Sequence, residues 1–549
     1  MIHRTWPVLF VVGIVLASAT VFRAGPSAAA VEAEHSGPYK HPPVDPVKAN
    51  GAIFVDWPKP DVALLFSGER DGFLEPCGCA GLENQKGGLK RLHTLVKQLR
   101  GQGWPIVAMD LGGQTKRFGM QAGIKFNYAI KALARIGYQA VGLGPTDLRL
   151  DILSLVINLD EARNPFVSAN VGIVDFDSGF TKRYKIIEAG GMKIGVTTVL
   201  GSRQLSELKN VDDLELVDPL VALGQVLPEL RKAGCDQLVL LSFAEPEETE
   251  SLARKFPEFD FVVTAHGADE PPDAPRVVAG LQTEPPGAGS GDPRTTTGDP
   301  RTTAGSGDPR TTKEAKLIEV GHKGMYVVVI GLYKEAATPP RYQRVPLDAR
   351  FADAPEMQQI LVDYEHDLET IGLEGLGLKP TMHPSGRLYA GSEACADCHT
   401  AATDVYVNTP HSHATATLVR LDPPRHYDPE CLSCHATGWE PQKYFPFTSG
   451  YLGLEDTPAM AGNGCENCHG PAARHVAAEN GEIDVDDEGL AQLRAALHLE
   501  LVENEGNKEG QEFENGKVVQ MCVQCHDLDN SPDFDFQAYW PHVEHEGKD

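Results

Sequence analysis

Beyond Val21 this 549-residue chain has no apolar run long enough to cross a bilayer, which takes about 20 residues. Any membrane attachment is therefore confined to the N-terminus. Basic residues are also scarce: 49 stand against 77 acidic ones, for a formal charge of −28. That balance excludes nucleic acid and anionic membrane surfaces as partners and leaves room for a basic protein partner. A disulfide framework is missing too. The eleven cysteines are not scattered, because eight of them sit in four identical spacings.

His3 and Arg4 precede an apolar run from Trp6 to Val21, and small residues follow at Ser27, Ala28, Ala29 and Ala30. This is the pattern of an export signal. Residues 1–30 are expected to be a signal peptide or, if retained, an N-terminal anchor, and the Pro- and Ala-rich stretch 31–55 a linker. The protein is then periplasmic or otherwise exported, and meets a membrane only if the anchor is kept.

A chain of this length exceeds one ordinary core and implies two or three domains. Between residues 56 and 350 short apolar runs alternate with helical patterns. Strands are predicted at Val62–Phe66, Pro105–Met109, Ala140–Leu143, Phe166–Ala169, Ile194–Val199, Gln237–Leu241 and Phe259–Val263. Helices are predicted at Leu89–Leu99, Asn127–Ile136, Leu220–Lys232 and Glu247–Phe256. Together they make an α/β domain with a layered sheet. Within it, residues 284–314 repeat Gly-Asp-Pro-Arg-Thr-Thr from Gly291, Gly298 and Gly307, too polar and too short in period to bury a face. Residues 351–385 read as a helical connector with Met357, Ile360, Leu361, Tyr364, Leu368 and Ile371 at helical spacing. From 386 to 549 strand patterns vanish, Cys and His rise, and short helices and loops are expected.

The four repeated spacings are Cys395-Ala-Asp-Cys398-His399, Cys431-Leu-Ser-Cys434-His435, Cys465-Glu-Asn-Cys468-His469 and Cys522-Val-Gln-Cys525-His526. Two thiols three residues apart can each form a thioether to one porphyrin, and the adjoining His then serves as proximal iron ligand. The cofactor reading is four covalently bound haem c groups. Zinc is the rival, since paired Cys-x-x-Cys units also build structural sites, but zinc requires no His after every second Cys. Candidate distal ligands are His411, His413, His475, His542 and His545, with His426 and His498 read as bystanders.

The words Ala390-Gly-Ser-Glu-Ala-Cys395, Asp428 to Gly438, Gly464 to Pro471 with His475, and Ser531-Pro-Asp-Phe-Asp-Phe resemble the tetrahaem cytochrome c-554 family over residues 388 to 545. The resemblance implies three haems with two His ligands and one five-coordinate haem. Distal ligands would fall on His411 or His413, on His475, and on His542 or His545, leaving the Cys431–His435 haem open.

Gly68-Glu-Arg-Asp-Gly72, Lys86-Gly-Gly-Leu-Lys-Arg91, Asp110-Leu-Gly-Gly113 and Thr264-Ala-His-Gly-Ala268 resemble the calcineurin-like metallophosphoesterase domain of secreted 5′-nucleotidases. The departures matter more. Where that family carries Asp-x-His, a bridging Asp, an Asn-His pair and a closing His-x-His, this chain has Glu69-Arg-Asp71, Gly113, Pro145-Thr146 and His266 followed by Ala268, and Leu241-Ser-Phe243 lacks a His. Two metals cannot be held by that set, which argues against hydrolysis. Instead Cys77 and Cys79 sit in a Gly-rich turn after the first strand, as a redox pair, a soft-metal site, or ordinary thiols or a bridge. Cys235 reads as buried and inert.

The expected protein is a metallophosphoesterase-like α/β layered sandwich with a degenerate metal site, followed by a multihaem cytochrome c domain. It carries electrons between redox partner proteins of unknown identity. The alternatives are a haem enzyme reducing a small nitrogen or sulfur species at the five-coordinate haem, and a redox-sensing or ligand-binding module using Cys77 and Cys79.

Overall fold

The segment Val62–Ser67 is apolar at every position but its last, and a strand without a polar face must be covered on both sides. In the computed structural model it is the middle strand of a sheet. The structure describes residues 45–76, 85–157, 164–280, 313–335, 337–499, 517–531 and 534–545. The export segment, Cys77 and Cys79, and nearly all of the 284–314 repeat lie outside the described residues.

In chain order the strands of the first half are β1 (Val62–Ser67), β2 (Ile106–Asp110), β3 (Tyr138–Val141), β4 (Val171–Ile173), β5 (Lys185–Ala189), β6 (Met192–Leu200) and β7 (Leu214–Leu216). They continue with β8 (Gln237–Phe243), β9 (Phe261–Thr264), β10 (Arg276–Ala279), β11 (Glu314–Glu319), β12 (Tyr326–Leu332) and β13 (Arg341–Pro346). One sheet has the order β13-β12-β1-β2-β3 and the other β10-β11-β9-β8-β6-β5, while β4 and β7 form a small separate ribbon. Strands β1, β2 and β3 run parallel, as do β6, β8, β9 and β11.

Alternation along β8 shows how the layers stack. Val239 and Leu241 join one core with β1 and β2, whereas Leu238 and Leu240 face α3 (Pro219–Lys232) and α4 (Pro246–Lys255) on the outer side. The earlier helices α1 (Leu89–Gly101) and α2 (Met120–Ile136) contribute Leu92, Leu95, Val96, Phe126, Ala129 and Leu133 to the shared core. Asp218 starts α3 by accepting the amides of Leu220 and Val221, with Pro219 in the first turn. The expected connector is α5 (Pro355–Gly375), which buries Met357, Leu361, Tyr364 and Leu368 against α1 and α2.

Several elements differ from the sequence reading. Phe166–Ala169 makes only isolated bridges, because its amides go to four different places: Phe166 to the Asn164 side chain, and Val167, Ser168 and Ala169 to the carbonyls of Val141, Lys182 and Thr198. Helix α2 begins at Met120, seven residues before the predicted Asn127. Two glycines hid its first turns: Gly119 caps it, and Gly123 lies where a Cβ would sit 2.5 Å from the Ser154 Oγ. Strands β10 to β13 went unpredicted although β12 reads Tyr-Val-Val-Val-Ile-Gly-Leu. Glu314, assigned to the repeat, opens β11. Within the predicted 31–55 linker, Pro46–Asn50 is a short helix capped by Asp45, and Phe54 packs edge-on against Trp57 and Trp104.

From Thr400 onward the helices are short: α6 (Thr400–Val407), α7 (Ala414–Arg420), α8 (Pro429–His435), α9 (Cys465–His469), α10 (Ala473–Glu479), α11 (Asp487–Ala495) and α12 (Lys517–Cys522). Contrary to the expectation of no strands, β14 (Trp439–Glu440) and β15 (Phe445–Pro446) form a two-residue ribbon, closed by Tyr444 in the left-handed region. Among the described residues no helix is long and apolar enough to cross a membrane.

Candidate functional site

The second Cys-x-x-Cys-His word forms α8 because Asp428 accepts the Glu430 amide at 2.8 Å and Pro429 fills the first turn. Cys431 and His435 then lie one helical turn apart on one face. The third word, α9, carries Glu466, whose buried carboxylate accepts the amides of Ala390, Gly391 and Ala472 at 2.7–3.0 Å. Glu466 thereby ties the chain before the first word to the third. Nothing in the sequence reading singled it out.

The four words converge. Cys395 and Cys465 are hydrogen-bonded thiols, as are Cys434 and Cys525, and Cys468 lies within electrostatic reach of Cys522. None of the nine described cysteines is in a disulfide. Cys235 is partly buried in the outer core, and burial raises its thiol pKa.

The histidines are oriented by their Nδ1 atoms. Those of His435, His469 and His526 contact the Ala414 carbonyl at 3.0 Å, the Leu497 carbonyl at 2.7 Å and the Ser531 hydroxyl at 3.2 Å. A carbonyl can only accept, so Nδ1 of His435 and of His469 carries the proton, leaving Nε2 with a lone pair for a metal. The His411 ring lies 6.1 Å from that of His526, and the His545 ring 5.7 Å from that of His469. Two metal–nitrogen bonds of about 2 Å, extended to the ring centres, span about 6 Å. His475 lies within electrostatic reach of His399, and its Nδ1 is buried without a hydrogen bond. Burial, with His526 and His435 nearby, holds the His411 pKa down to about 4, so its imidazole is neutral, the form that binds metal. Of the alternative distal candidates, His413 and His542 are exposed, whereas the rings of His411 and His545 lie near those of His526 and His469. His426 stacks on Tyr427, 3.9 Å between ring centres.

These residues fit a porphyrin. The half's main apolar cluster consists of Tyr389, Leu418, Leu432, Ala436, Trp439, Phe447, Tyr451 and Met460, with a smaller one of Val518, Val519 and Phe536. Such clusters are small for a module of this length unless a large apolar group completes the interior.

The first half presents the opposite case. At the carboxyl ends of β1, β2 and β9, where α/β sheets place their sites, the polar side chains are largely paired with one another, the Arg70 Nη1 being buried without a hydrogen-bond partner. Arg70, fully buried, pairs with Asp110 at 3.4 Å and donates to Gln114 at 3.2 Å. Gln114 and Ser67 donate to the same Asp110 carboxylate at 2.6 and 2.5 Å. Asp147 accepts the amides of Gly113, Gln114, Thr115 and Gly144. Glu69 accepts from the His266 amide at 2.9 Å and pairs with its Nδ1 at 3.1 Å. The bridging-ligand position, Gly113, has φ +75°, and a Cβ there would approach the Phe243 ring to 3.0 Å. A two-metal centre does not fit: a guanidinium already occupies the polar interior, and among the described residues no group of three metal-donor side chains converges. Arg70 was legible only as a cation between two acids after an all-apolar strand. Asp71 beside it is pushed up to about 7 by burial and by Glu69.

The two halves meet at this site's mouth. Lys116 and Lys323 both pair with Asp529, three residues beyond His526, and Arg117 stacks on Tyr444 at 3.6 Å.

Comparison with known proteins matches the two halves to different relatives. A family profile described as cytochrome c554 and c-prime matches residues 394–470, which include the first three Cys-x-x-Cys-His words. Cytochrome c-554 of Nitrosomonas europaea is 31% identical over 96 residues, covering 15% of this chain and 38% of that protein. Snake venom 5′-nucleotidase of Gloydius brevicauda is 27% identical over 194 residues, covering 34% of this chain and 33% of that protein. The chain thus spans little more than a third of the length of these relatives. A 5′-nucleotidase precursor from Thermus thermophilus superposes with a TM-score of 0.45 at 18% identity, over 56% of this chain and 59% of that one. The C-terminal half resembles the cytochrome c-554 family, whose members carry covalently bound haem c, and the N-terminal half resembles 5′-nucleotidases of the calcineurin-like phosphoesterase fold.

Proposed function

We propose that this chain, cytochrome c-554-like at one end and 5′-nucleotidase-like at the other, is an exported four-haem electron carrier working between two redox proteins. The observation that carries the reading is the approach of His411 to His526 and of His545 to His469, each near the span of one iron between two imidazoles. Bound haem would supply one-electron chemistry. The chain's own residues hold and order the groups: eight cysteines anchor, and His399, His435, His469 and His526 serve as proximal ligands. His475, His545 and His411 serve as distal ligands for the first, third and fourth words. The five-coordinate haem that the family resemblance implies is then assigned to Cys431–His435.

The cysteine neighbours set the sequence of the relay. Cys395 meets Cys465, Cys468 lies near Cys522, and Cys525 meets Cys434, so haems held at these words would neighbour one another in the order first, third, fourth and second. Residues 1–30 supply the export that c-type haem attachment requires. The phosphoesterase-like half, with its polar side chains largely paired with one another, acts as a docking body for a partner or ligand rather than as a hydrolase.

Absorption and paramagnetic resonance spectra of the purified protein test this directly. Four haems are expected, three low-spin and one high-spin, with His411→Ala and His545→Ala each converting one low-spin iron and His413→Ala converting none. Fewer than four haems, or zinc in their place, would refute it.

A further inference from the structure

Between the two halves lies a buried cluster of charge that electron carriage alone does not explain. Glu75 and Lys90 come from the loop after β1 and from α1, Lys125 from α2, Glu365 from α5, Arg425 and Asp428 from the approach to α8, and Glu430 from its first turn. Lys90 and Arg425 both pair with Glu75, and Lys125 pairs with Glu430. Asp428 accepts from Gln121 at 2.7 Å and faces the Tyr364 hydroxyl at 3.5 Å. Four carboxyl groups thus share three cations. Glu365, Asp428, Lys90 and Lys125 are all buried.

A buried surplus charge is costly, so such a cluster balances by holding one proton. The partners decide where it sits. Glu75 has two cations, Glu430 has Lys125, and Asp428 has Gln121 and the Glu430 amide. Glu365 has only a 3.8 Å approach to the Arg425 Nε, and its buried Oε2 accepts no hydrogen bond. Burial and Asp428 accordingly push its carboxyl up to about 9.

Two of these cations also address the attachment site. Lys125 and Arg425 both lie close to the Cys431 sulfur as well as to Glu365, and the Asp428 backbone carbonyl accepts the Cys431 amide at 3.0 Å, which ties the cluster to the attachment helix. Resting on the functional reading above, we infer that Glu365 is a proton-binding site coupled to the electron held by the haem attached at Cys431 and Cys434. Near and above pH 9, where Glu365 in the oxidised protein is a carboxylate, the electron accepted by a haem held there would be matched by one proton that Glu365 takes from solvent; below that range the carboxyl already holds its proton and takes up none. In the alkaline range oxidation returns both. Net charge in the cluster and haem together is unchanged, so the electron enters a buried, acidic region without a charge penalty.

The test is a potentiometric titration of the full-length holoprotein across neutral and alkaline pH, with reduced-minus-oxidised infrared spectra of protein labelled with carbon-13 glutamate. At alkaline pH one haem component should shift its equilibrium by up to tenfold per pH unit, or ~59 mV for one electron, and its potential should level off toward neutral pH. At alkaline pH a carboxylic acid band that moves with the label should grow on reduction. Glu365→Gln should lose both the slope and the band, and Glu365→Asp should keep a slope while its band no longer moves with the label. Potentials independent of pH in the wild type, a band insensitive to the glutamate label, or an unaltered slope in Glu365→Gln would overturn the proposal. Should Glu365→Gln fail to fold, the labelled wild type alone decides. A protein with four haems and flat potentials refutes only this inference, whereas one with no haem at Cys431 and Cys434 refutes the functional reading with it.

Discussion

The two halves of this chain treat their polar interiors in opposite ways. In the phosphoesterase-like half, Asp110 pairs with Arg70, Asp147 accepts four backbone amides, and Glu69 pairs with His266, so the chain's own groups fill the site. In the cytochrome-like half, imidazoles are held by their Nδ1 contacts, and the His469 and His545 rings lie 5.7 Å apart. The difference teaches what each half needs from outside. The first has an apolar core running through two sheets and needs no further group to hold it, whereas the second has small apolar clusters and is completed by something bound.

The largest effect is expected where that completion is removed. Changing Cys522 and Cys525 together to Ala should cost one haem and open the 386–549 region to proteolysis, while residues 56–350 stay resistant. Equal resistance of both halves in the variant would erase the contrast.

A smaller effect tests the closed site. Arg70→Met strands Asp110 as a buried, unpaired charge, for a loss of about 3–5 kcal/mol in chemical unfolding of the first half. Asp110→Asn added to it should recover much of the loss, because removing both partners leaves no charge to bury. If the single change is neutral, the guanidinium is not what balances the site.

The smallest concerns Asp71. Its native pKa, about 7, lies above its unfolded value near 3.8, so the folded state retains a proton that the unfolded chain has released. Stability should therefore fall as pH rises from about 4 to about 7. Asp71→Asn should gain on the order of 2 kcal/mol at pH ~8 and nothing below pH ~4, after allowance for its partial exposure. A gain independent of pH would contradict the assignment.

Much of this contrast was legible in the residues, and the remainder was hidden for physical reasons. The Cys-x-x-Cys-His words are local chemistry, readable without a fold, and the missing donors at Gly113 and Thr146 were equally plain. The choice of His411 over His413 depends on which imidazole the 3₁₀ turn at Pro410–His413 carries inward, which spacing alone does not say. Glu466 and Glu365 act through partners 75 and 60 residues away, the Gly391 amide and Arg425, so no window on the sequence brings them together. Phe166–Ala169 has the composition of a strand, yet its amides are shared among Asn164, Val141, Lys182 and Thr198, so no single neighbour forms a ladder with it. Strand β12 was the avoidable miss, a run of β-branched residues obscured only by the repeat before it.

The central claim is that one half is completed by covalently bound haem and the other closes on itself. The mass of the intact, exported protein under denaturing conditions tests it most directly. The account predicts a single species carrying four haems, falling to three when Cys522 and Cys525 are both replaced. A mass equal to that of the polypeptide alone, or an increment removed by a zinc chelator, would contradict it.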